Sequence, residues 1–342
     1  MPKKFEFDLR SDTVTKPCEK MLKAMMKAQV GDDLFGEDPS VNLLQNTVAK
    51  DLGFNHGLFV PSGTMANQIA ISISTVPGDA ILCEEQSHII LYESGATSAV
   101  NGVQYDTISD LTEDKVFAGA YRKESEVTAP TRLFIYENTH NEKGGIARSV
   151  SHTNKALELA RAAGLQCHLD GARVWNAAEA SGCSPKELAE GFDSASACFS
   201  KGLGAPAGSL LLLKSEIQLQ RARRMRKRLG GSMRQAGYLA SAALFAYENN
   251  VQRLAEDHAF RDELASFLTD EGCELKQNGP ATSMLYFRHP DRDSQSLQRS
   301  LEEQSIGCFA LSEGYLRFVF HRDVDIKKSD ELKRRVKLSL TA

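Results

Sequence analysis

The chain has 342 residues, of which 42% are hydrophobic and 25% charged, and its formal net charge is −4. This length and composition predict a globular protein with a substantial core, built as one large or two unequal domains. The acidic balance argues against nucleic acid or an anionic membrane as the main partner, and no stretch reaches the roughly 18 apolar residues of a membrane span.

The beginning of the sequence and its cysteines bear on compartment and chemistry. The first residues, MPKKFEFDLRSD, lack the apolar core of a secretory signal, so we expect a cytoplasmic protein. Seven cysteines are scattered without a C-x-x-C pair. This spacing predicts neither a zinc site nor a disulfide framework, and we expect no bound metal.

Short apolar runs alternate with helical patterns over most of the chain, which is typical of an α/β fold. In chain order, a strand predicted through Val60 leads into SGTMANQIAI, which begins a helix. TNKALELARAAG predicts a helix, LQCHLD a strand, SPKELAEGF a helix and SASACFS another strand. After residue 250 a long helical run and short strands predict a smaller α+β domain. We therefore divide the chain into a large domain, residues 1–250, and a small domain, residues 251–342.

Lys201 lies in FSKGLGAPAG, a glycine-rich stretch with three possible meanings. The order G-x-G-x-x-x-G departs from the dinucleotide-binding fingerprint, and an apolar run follows where the fingerprint needs a helix. A surface lysine in a strand-loop-strand turn is the plainer interpretation, because most lysines are solvated. The neighbouring strand favours the third meaning, a lysine that binds a cofactor.

Asp170 ends the strand that precedes the strand of Lys201. The 31 positions from residue 170 to residue 201 fit one crossover of about 30 residues, which brings both strand ends to the same edge of a parallel sheet. Pyridoxal phosphate needs this pair: an amine that forms a Schiff base and a carboxylate that keeps the ring nitrogen protonated. Lys201 and Asp170 are therefore the predicted cofactor and catalytic residues.

A phosphate site is available where the strand through Val60 ends. Ser62, Gly63 and Thr64 stand at the start of a helix, where hydroxyls and free backbone N–H groups bind a phosphate dianion. Taken alone, SGT is an ordinary helix cap. Together with HLDGAR and FSKGLG in this chain order, it favours a pyridoxal phosphate enzyme.

The sequence resembles the low-specificity L-threonine aldolases, which are fold type I pyridoxal phosphate enzymes close to the β-eliminating lyases. The matching motifs are RSDTVTKP, GDDLFGEDPSVN, FVPSGTMANQ, ENTHN, HLDGARVWNAA, SKGLGAPAGS, GGSMRQAG and RFVFHRDV, which lie between residues 10 and 324. The resemblance implies a large domain with a mostly parallel central sheet flanked by helices, and a smaller α+β C-terminal domain.

The resemblance also implies roles for two histidines. His88, in CEEQSHIILYESG, matches a histidine that stacks on the cofactor ring near the β-hydroxyl of the substrate. His140, in ENTHN, matches a second histidine near the same hydroxyl. Imidazole suits proton transfer because its ordinary pKa lies near working pH. Which of the two, or a water between them, takes the proton stays open at this point.

Three further positions match residues that bind the α-carboxylate of the substrate. Arg173 and Arg317 offer the planar guanidinium that binds both oxygens of a carboxylate. Ser11, in RSDTVT, matches a residue that reaches the same group. Arg173, three residues after Asp170, is also a predicted cofactor-binding residue.

The basic run RARRMRKRLGGSMR places Arg221, Arg224 and Arg228 on one helical face, as a nucleic-acid patch does. It lacks interleaved aromatic residues and the chain is acidic, so we expect no nucleic-acid partner. In the family this segment lies at a subunit contact. Arg234 resembles the arginine that reaches the cofactor phosphate of a neighbouring subunit, which implies a dimer or tetramer with shared active sites.

The reaction implied is retro-aldol cleavage of L-threonine, L-allo-threonine and related β-hydroxy-α-amino acids to glycine and an aldehyde. Two alternatives remain from the sequence. One is another pyridoxal phosphate reaction on the same scaffold, β-elimination or transamination, which does not need the two histidines at the β-hydroxyl. The other is a non-catalytic protein that binds the cofactor, against which the presence of Lys201, Asp170 and both histidines argues.

Overall fold

The chain folds into alternating strands and helices, which a computed structural model describes for residues 4–276, 280–311 and 313–341. The strands are β1 (Phe7–Asp8), β2 (His56–Val60), β3 (Ala80–Glu84), β4 (Gln104–Ile108), β5 (Thr131–Glu137), β6 (Gln166–Asp170), β7 (Ser194–Cys198), β8 (Ser209–Leu213), β9 (Glu274–Leu275), β10 (Met284–Arg288), β11 (Ile306–Gly307), β12 (Phe309–Ala310) and β13 (Leu316–Val319).

The helices up to the middle of the chain are α1 (Glu19–Met26), α2 (Pro39–Asp51), α3 (Gly63–Ser74), α4 (His88–Leu91), α5 (Ala96–Asn101), α6 (Asp114–Ala120) and α7 (Val150–Ala162). They are followed by α8 (Val174–Ser181), α9 (Pro185–Ala189), α10 (Glu216–Arg228), α11 (Gly237–Asn250), α12 (Leu254–Asp270), α13 (Ser294–Glu303) and α14 (Ser329–Thr341). Short 3₁₀ turns occupy Asp12–Val14, Asp33–Phe35 and Ile326–Lys328.

A seven-stranded sheet forms the centre of the larger part, with strand order β2-β8-β7-β6-β5-β3-β4. All neighbours from β7 to β4 are parallel, whereas β8 runs antiparallel to both β2 and β7. The inner strands β3, β7 and β8 are buried along their whole length, as the apolar sequences of β3 and β8 require for a sheet covered on both faces. The sheet is therefore mostly parallel, as predicted.

The predicted unit around Asp170 differs from the observed one in two details. β6 ends at Asp170, as predicted, but β7 ends at Cys198, so that Lys201 lies in the following loop. The crossover between them contains α8 as well as the predicted helix α9. Three residues, Gly171, Ala172 and Arg173, separate β6 from α8, and no side chain caps the start of α8.

A second, antiparallel sheet lies in the C-terminal part, with strand order β12-β13-β10-β9. Its apolar core includes Phe260 of α12, Phe318 of β13 and Leu332 of α14. Phe7 and Leu9 belong to the same core, because β1 pairs with β11. The N-terminal segment thus joins the C-terminal part, and the domain division at residues 250 and 251 stays a prediction.

Two features relate to compartment and thiol chemistry. None of the helices in the described residues has both the length and the apolar character needed to cross a bilayer. All seven cysteines are free thiols, and most of them are buried. Cys18 and Cys183 are half-buried, and the other five are buried.

Candidate active site

Asp170 and the loop of Lys201 lie at one edge of the large sheet. β6 and β7 are parallel neighbours, and Asp170 is paired in register with Ser196. The chain leaves β7 at Cys198, turns through Lys201 and enters β8 at Ser209. Open α/β sheets bind ligands at the carboxyl ends of their parallel strands, which is the edge that these residues occupy.

Asp170 is a buried anion. Its Oδ2 accepts a hydrogen bond from Nδ2 of Asn67 at 2.8 Å, and its Oδ1 accepts one from Oγ of Ser196 at 3.3 Å. Burial raises the pKa of Asp170, but the positive charges of His88 and Lys201 outweigh it and hold the pKa below the ordinary value. A carboxylate in this state can keep the ring nitrogen of pyridoxal phosphate protonated.

Asn67 orients Asp170, and Asn67 is itself oriented by His168. Its side-chain oxygen lies 3.2 Å from Nε2 of His168, whose Nδ1 lies 2.8 Å from Oγ of Ser194. Burial lowers the pKa of His168 to about 4, so this ring is neutral at neutral pH. The amide group of Asn67 therefore directs both of its N–H bonds towards carboxylates, one of which is Asp170.

His88 begins α4 and lies beside the same cluster. Its backbone N–H donates to Oε2 of Glu137 at 2.7 Å, and its Nδ1 lies 3.1 Å from Oε1 of the buried Glu93. Burial lowers the pKa of His88, but the hydrogen bond to Glu93 and the charge of Asp170 raise it above the ordinary value. The side chains of His88, Glu93 and Asp170 offer atoms that all lie within 4.8 Å of one another.

The predicted phosphate site lies at the start of α3. Ser62 caps the helix by accepting a hydrogen bond from the backbone N–H of Met65 at 3.2 Å, and Thr64 is half-buried in the first turn. Gly63 is required for packing, because a Cβ there would lie 2.7 Å from Sγ of Cys198. The backbone of the first turn thus approaches the end of β7 closely and leaves its N–H groups available to an anion.

Lys201 carries an amine that has no fixed partner. Among the described residues its ammonium group forms no ion pair, although its charge acts on Asp12, Asp170 and His88. The backbone around it is fixed, since its carbonyl accepts hydrogen bonds from Oγ1 of Thr15 at 2.9 Å and from the N–H of Gly204 at 2.8 Å. An unpaired amine on a rigid loop, next to a buried carboxylate and a helix N-terminus, fits pyridoxal phosphate.

Arg173 already binds a carboxylate of its own chain. Its Nε and Nη2 each donate to Asp12 at 2.7 Å, in the bidentate geometry that guanidinium and carboxylate prefer. Burial raises the pKa of Asp12, but Arg173 outweighs it and, with a smaller contribution from Lys201, lowers the pKa to about 2. Two N–H groups of Arg173 are thus engaged, and its remaining N–H groups are the ones left for a ligand.

Arg317 and Ser11 meet through the N-terminal segment. Arg317, on β13, donates from Nη2 to the carbonyl oxygen of Arg10 at 3.0 Å and from Nη1 to Oδ1 of Asn141 at 3.3 Å. Its Nε is buried without a hydrogen-bond partner. Ser11 follows Arg10 in the chain, and its hydroxyl accepts hydrogen bonds from the backbone and side chain of Thr13. Arg317 thus contacts the residue that precedes Ser11, so two of the three residues predicted to bind the substrate carboxylate lie near each other.

His140 has different surroundings. Its ring is fully buried, and its Nε2 lies 3.6 Å from Oε2 of Glu84, a carboxylate that also pairs with Arg148 and Lys143. Neither ring nitrogen of His140 has a hydrogen-bond partner. The segments of the two histidines are linked through Glu137, whose carboxylate accepts hydrogen bonds from the backbone N–H of His88 and from that of Asn141, the residue after His140.

Among the described residues, no hydrogen bond or ion pair joins Arg234 to the residues above. Its side chain is half exposed and pairs with Asp32 at 3.2 Å, and its carbonyl oxygen accepts a hydrogen bond from the N–H of Asp33. Beside it, Leu34 and Phe35 expose apolar side chains, Phe35 to 72%. The role predicted for Arg234, at the cofactor of a neighbouring subunit, stays a prediction.

Three residues of the site were not predicted from the sequence: Asp12, Asn67 and Glu93. Each lies near a residue that was predicted. Asp12 follows Ser11, Asn67 lies one helical turn after Gly63, and Glu93 lies five positions after His88. Their proximity in sequence to predicted residues is the signal for them. It identifies them only when the direction of each side chain is known.

The sequence profile of the beta-eliminating lyase family matches residues 8–288. Low-specificity L-threonine aldolase 1 of Arabidopsis thaliana is 38% identical over 328 residues, which cover 93% of this chain and 91% of that protein. The low specificity L-threonine aldolase of Escherichia coli (strain K12) is 38% identical over 330 residues, which cover 95% of this chain and 96% of that protein.

Solved structures agree in fold. The threonine aldolase of Leishmania major has a TM-score of 0.82 at 19% identity, covering 97% of this chain and 98% of that chain. A putative L-allo-threonine aldolase of Listeria monocytogenes has a TM-score of 0.79 at 20% identity, covering 98% of this chain and 97% of that chain. The predicted fold type I architecture is confirmed.

The fold and the grouping of Lys201 with Asp170 define a pyridoxal phosphate enzyme of fold type I. The chain belongs to the beta-eliminating lyase family. The predicted resemblance to the low-specificity L-threonine aldolases is confirmed, as is the predicted cofactor, because this family depends on pyridoxal phosphate.

Proposed function

We propose that this protein is an aldehyde lyase that cleaves the Cα–Cβ bond of L-threonine, L-allo-threonine and related β-hydroxy-α-amino acids. The products are glycine and an aldehyde, which is acetaldehyde for threonine. The predicted class of enzyme, a carbon–carbon lyase, is confirmed by the family and by the named relatives. The structural observation that carries the proposal is the grouping of Lys201, Asp170 and His88 at one edge of the sheet.

Five residues would hold the attachment point, the ring nitrogen and the phosphate of the cofactor. Pyridoxal phosphate, when bound, accepts the electron pair that remains on Cα after the bond breaks. The amine of Lys201 is its point of attachment, and Asp170 keeps its ring nitrogen protonated. The hydroxyls and backbone N–H groups of Ser62, Gly63 and Thr64 bind its phosphate at the positive end of α3.

The α-carboxylate of the substrate is bound by Arg173, Arg317 and Ser11. Arg317 supports this role because its Nε is buried without a partner, so a carboxylate oxygen would satisfy it. Arg173 supports it because Asp12 holds the guanidinium in one orientation while leaving other N–H groups free. Clamping the carboxylate would fix the orientation of the bonds at Cα, and this would select the bond that breaks.

His88 removes the proton of the β-hydroxyl. Its ring is one-third exposed and lies within the field of Asp170 and Lys201, the two residues that hold the cofactor. As the hydroxyl proton leaves, the Cα–Cβ bond breaks, the aldehyde departs, and a proton then adds to Cα to give glycine. His140 or a water is the alternative base, as the sequence left open.

The test is incubation of the purified protein with L-threonine and with L-allo-threonine, followed by assays for glycine and acetaldehyde. We expect equimolar glycine and acetaldehyde. β-Elimination would instead give ammonia and 2-oxobutyrate, and transamination would consume an amino-group acceptor. Release of 2-oxobutyrate without glycine would replace the aldolase proposal with an elimination.

We also propose that two copies of the chain complete each active site, in a dimer or tetramer. Arg234 supports this, because it is exposed and its only carboxylate partner in the described residues is Asp32. Leu34 and Phe35 beside it form an apolar surface suited to a subunit contact. The cytoplasm remains the proposed compartment.

Mixing two inactive variants tests the shared site. Lys201→Ala and Arg234→Ala each remove one part, so a hybrid dimer carries both lesions in one site and neither in the other. At equal mixing with subunit exchange, activity should return to about a quarter of wild type, as two-fold symmetry requires. If exchange is demonstrated and no activity returns, Arg234 acts within its own chain.

A further inference from the structure

Glu93 is a buried carboxylate at the centre of the candidate active site. Its side chain has no exposed surface, and it follows α4 in the segment that leads to α5. A carboxylate in this position is costly unless its charge is balanced and its oxygens accept hydrogen bonds. The groups that balance this charge and donate these hydrogen bonds indicate the role of Glu93.

Both oxygens of Glu93 are occupied by donors. Oε1 lies 2.9 Å from Nδ2 of Asn67 and 3.1 Å from Nδ1 of His88, and Oε2 lies 2.7 Å from Nε2 of Gln68. Asn67 and Gln68 are neutral amides. Among the described residues no lysine or arginine pairs with Glu93, so His88 is the one group in direct contact that can carry a balancing positive charge.

This contact determines which nitrogen of His88 carries a proton. An ionised carboxylate only accepts hydrogen bonds, so Nδ1 of His88 must donate to it. The neutral ring then has its lone pair on Nε2, which forms no hydrogen bond with any described residue. A buried carboxylate that orients an imidazole in this way also stabilises the imidazolium formed when the ring takes up a proton.

Glu93 and Asp170 are linked through one amide. Asn67 donates to both carboxylates from the same Nδ2, at 2.9 Å and 2.8 Å. The other charged or titratable groups that face His88 are Lys201, Glu137 at its backbone N–H, and Tyr92, whose ring centroid lies 5.6 Å away. Of the acidic groups around the ring, Glu93 is the one that its side chain contacts.

We propose that Glu93 is a positioning residue that fixes the tautomer of His88, with Nδ1 protonated and Nε2 free, and stabilises the charge of this ring during proton transfer. The proposal rests on the aldol cleavage proposed above, in which His88 is the base. The direction of the pKa of His88, raised by the hydrogen bond to Glu93, agrees with it.

The test compares Glu93→Gln with wild type in the holoenzyme without substrate. Titration of ¹⁵N-labelled histidine by NMR reports both the midpoint and the tautomer of His88, whose signal is identified by its loss in His88→Phe. Gln keeps the size of Glu but removes its charge, so the midpoint should fall by about one pH unit, a tenfold loss of proton affinity. Glu93→Asp keeps the charge and should restore part of this shift.

Kinetics give a second readout. In Glu93→Gln, kcat should fall about tenfold while KM for threonine changes little, because the lost interaction matters most when His88 becomes charged. The acidic limb of the kcat profile should move to lower pH, because a less basic His88 loses its proton at lower pH. Asp79→Asn is the matched control, since it makes the same change at a buried carboxylate outside the site, which accepts a hydrogen bond from the backbone N–H of Val76 and lies 3.9 Å from Nε of Arg132.

The outcomes separate the inference from the proposed function. An unchanged midpoint and tautomer in Glu93→Gln would overturn the role of Glu93, even if the enzyme cleaves threonine. If Glu93→Gln does not fold, the tautomer of His88 measured in the wild-type enzyme is the test. A neutral His88 protonated on Nε2 contradicts the proposal. A wild-type enzyme that releases no glycine from threonine contradicts the proposed function, whatever the titration gives.

Discussion

His88 and His140, the two candidate bases, occupy opposite kinds of surroundings. His88 is one-third exposed, and its Nδ1 has a carboxylate partner at 3.1 Å. His140 is fully buried, neither of its nitrogens is hydrogen-bonded, and its nearest carboxylate, Glu84, is already neutralised by Arg148 and Lys143. One ring is oriented with a nitrogen open to a ligand, whereas the other is enclosed.

This difference indicates how a protein prepares an imidazole for proton transfer. A general base must reach the proton that it removes, and it is more effective when a carboxylate balances the charge that it gains. His88 meets both conditions, because Glu93 and Asp170 lie on one side of its ring. His140 meets neither in this arrangement. The contrast favours His88 as the base and gives His140 a supporting position next to Glu84.

Lys201→Ala should have the largest effect and sets the baseline against which both histidines are compared. Without the amine the cofactor has no covalent attachment, so we expect turnover to fall to background and the linkage reducible by borohydride to disappear. Absorbance of the purified protein and mass spectrometry after reduction measure this. A reducible linkage that survives in Lys201→Ala would place the attachment on another lysine.

The same substitution at the two histidines should separate them. His88→Phe keeps a flat ring but removes the base, so we expect normal cofactor binding and a fall in kcat of about two orders of magnitude. His140→Phe should lower kcat by less than about tenfold, because neither ring nitrogen of His140 has a hydrogen bond to lose and Glu84 keeps its contacts with Arg148 and Lys143. Initial rates of acetaldehyde release, with cofactor absorbance as a control for folding, measure both. A larger loss at His140 would reverse the assignment of the base.

The fold and the chemical groups of the site could be predicted from the sequence to different extents. The strand ending at Asp170 and its partner strand before Lys201 follow from short apolar runs at a regular spacing, and the sheet edge follows from topology. The pairing of β1 with β11 could not be predicted, because it joins residues 299 positions apart and two-residue strands have no periodicity. It nevertheless places Ser11 beside Arg317.

The supporting groups were missed for a physical reason. Asn67 and Glu93 act through the direction of a side chain within a buried cluster, and the sequence gives only their positions. Asp12 adjoins a predicted residue, yet its bidentate contact with Arg173 spans 161 positions. The resemblance placed both histidines near the β-hydroxyl of the substrate, since the sequence does not reveal that one ring is enclosed and the other is open.

A third histidine, His168, provides the smallest of the expected effects and a control for the other two. It contacts neither Lys201 nor His88 in the described structure, but it orients Asn67. Burial lowers its pKa from 6.5 to about 4. Below pH 6.5 the unfolded chain binds a proton that the folded chain does not accept until about pH 4, so this residue makes the folded state less stable as the pH falls through that window.

Thermal melting at pH 7 and at pH 5 measures this effect. Replacing His168 by Gln removes the titrating group while leaving an amide that can donate to Asn67, so the variant should lose less stability on acidification than wild type. The difference should be a few degrees in Tm, because one proton contributes about 1.4 kcal/mol per pH unit in the window. Burial also lowers the pKa of His258 to about 4, so part of the dependence of stability on pH remains in both proteins. Equal losses in the two proteins would mean that His168 titrates normally in the folded state, and the orientation of Asn67 would then depend on pH.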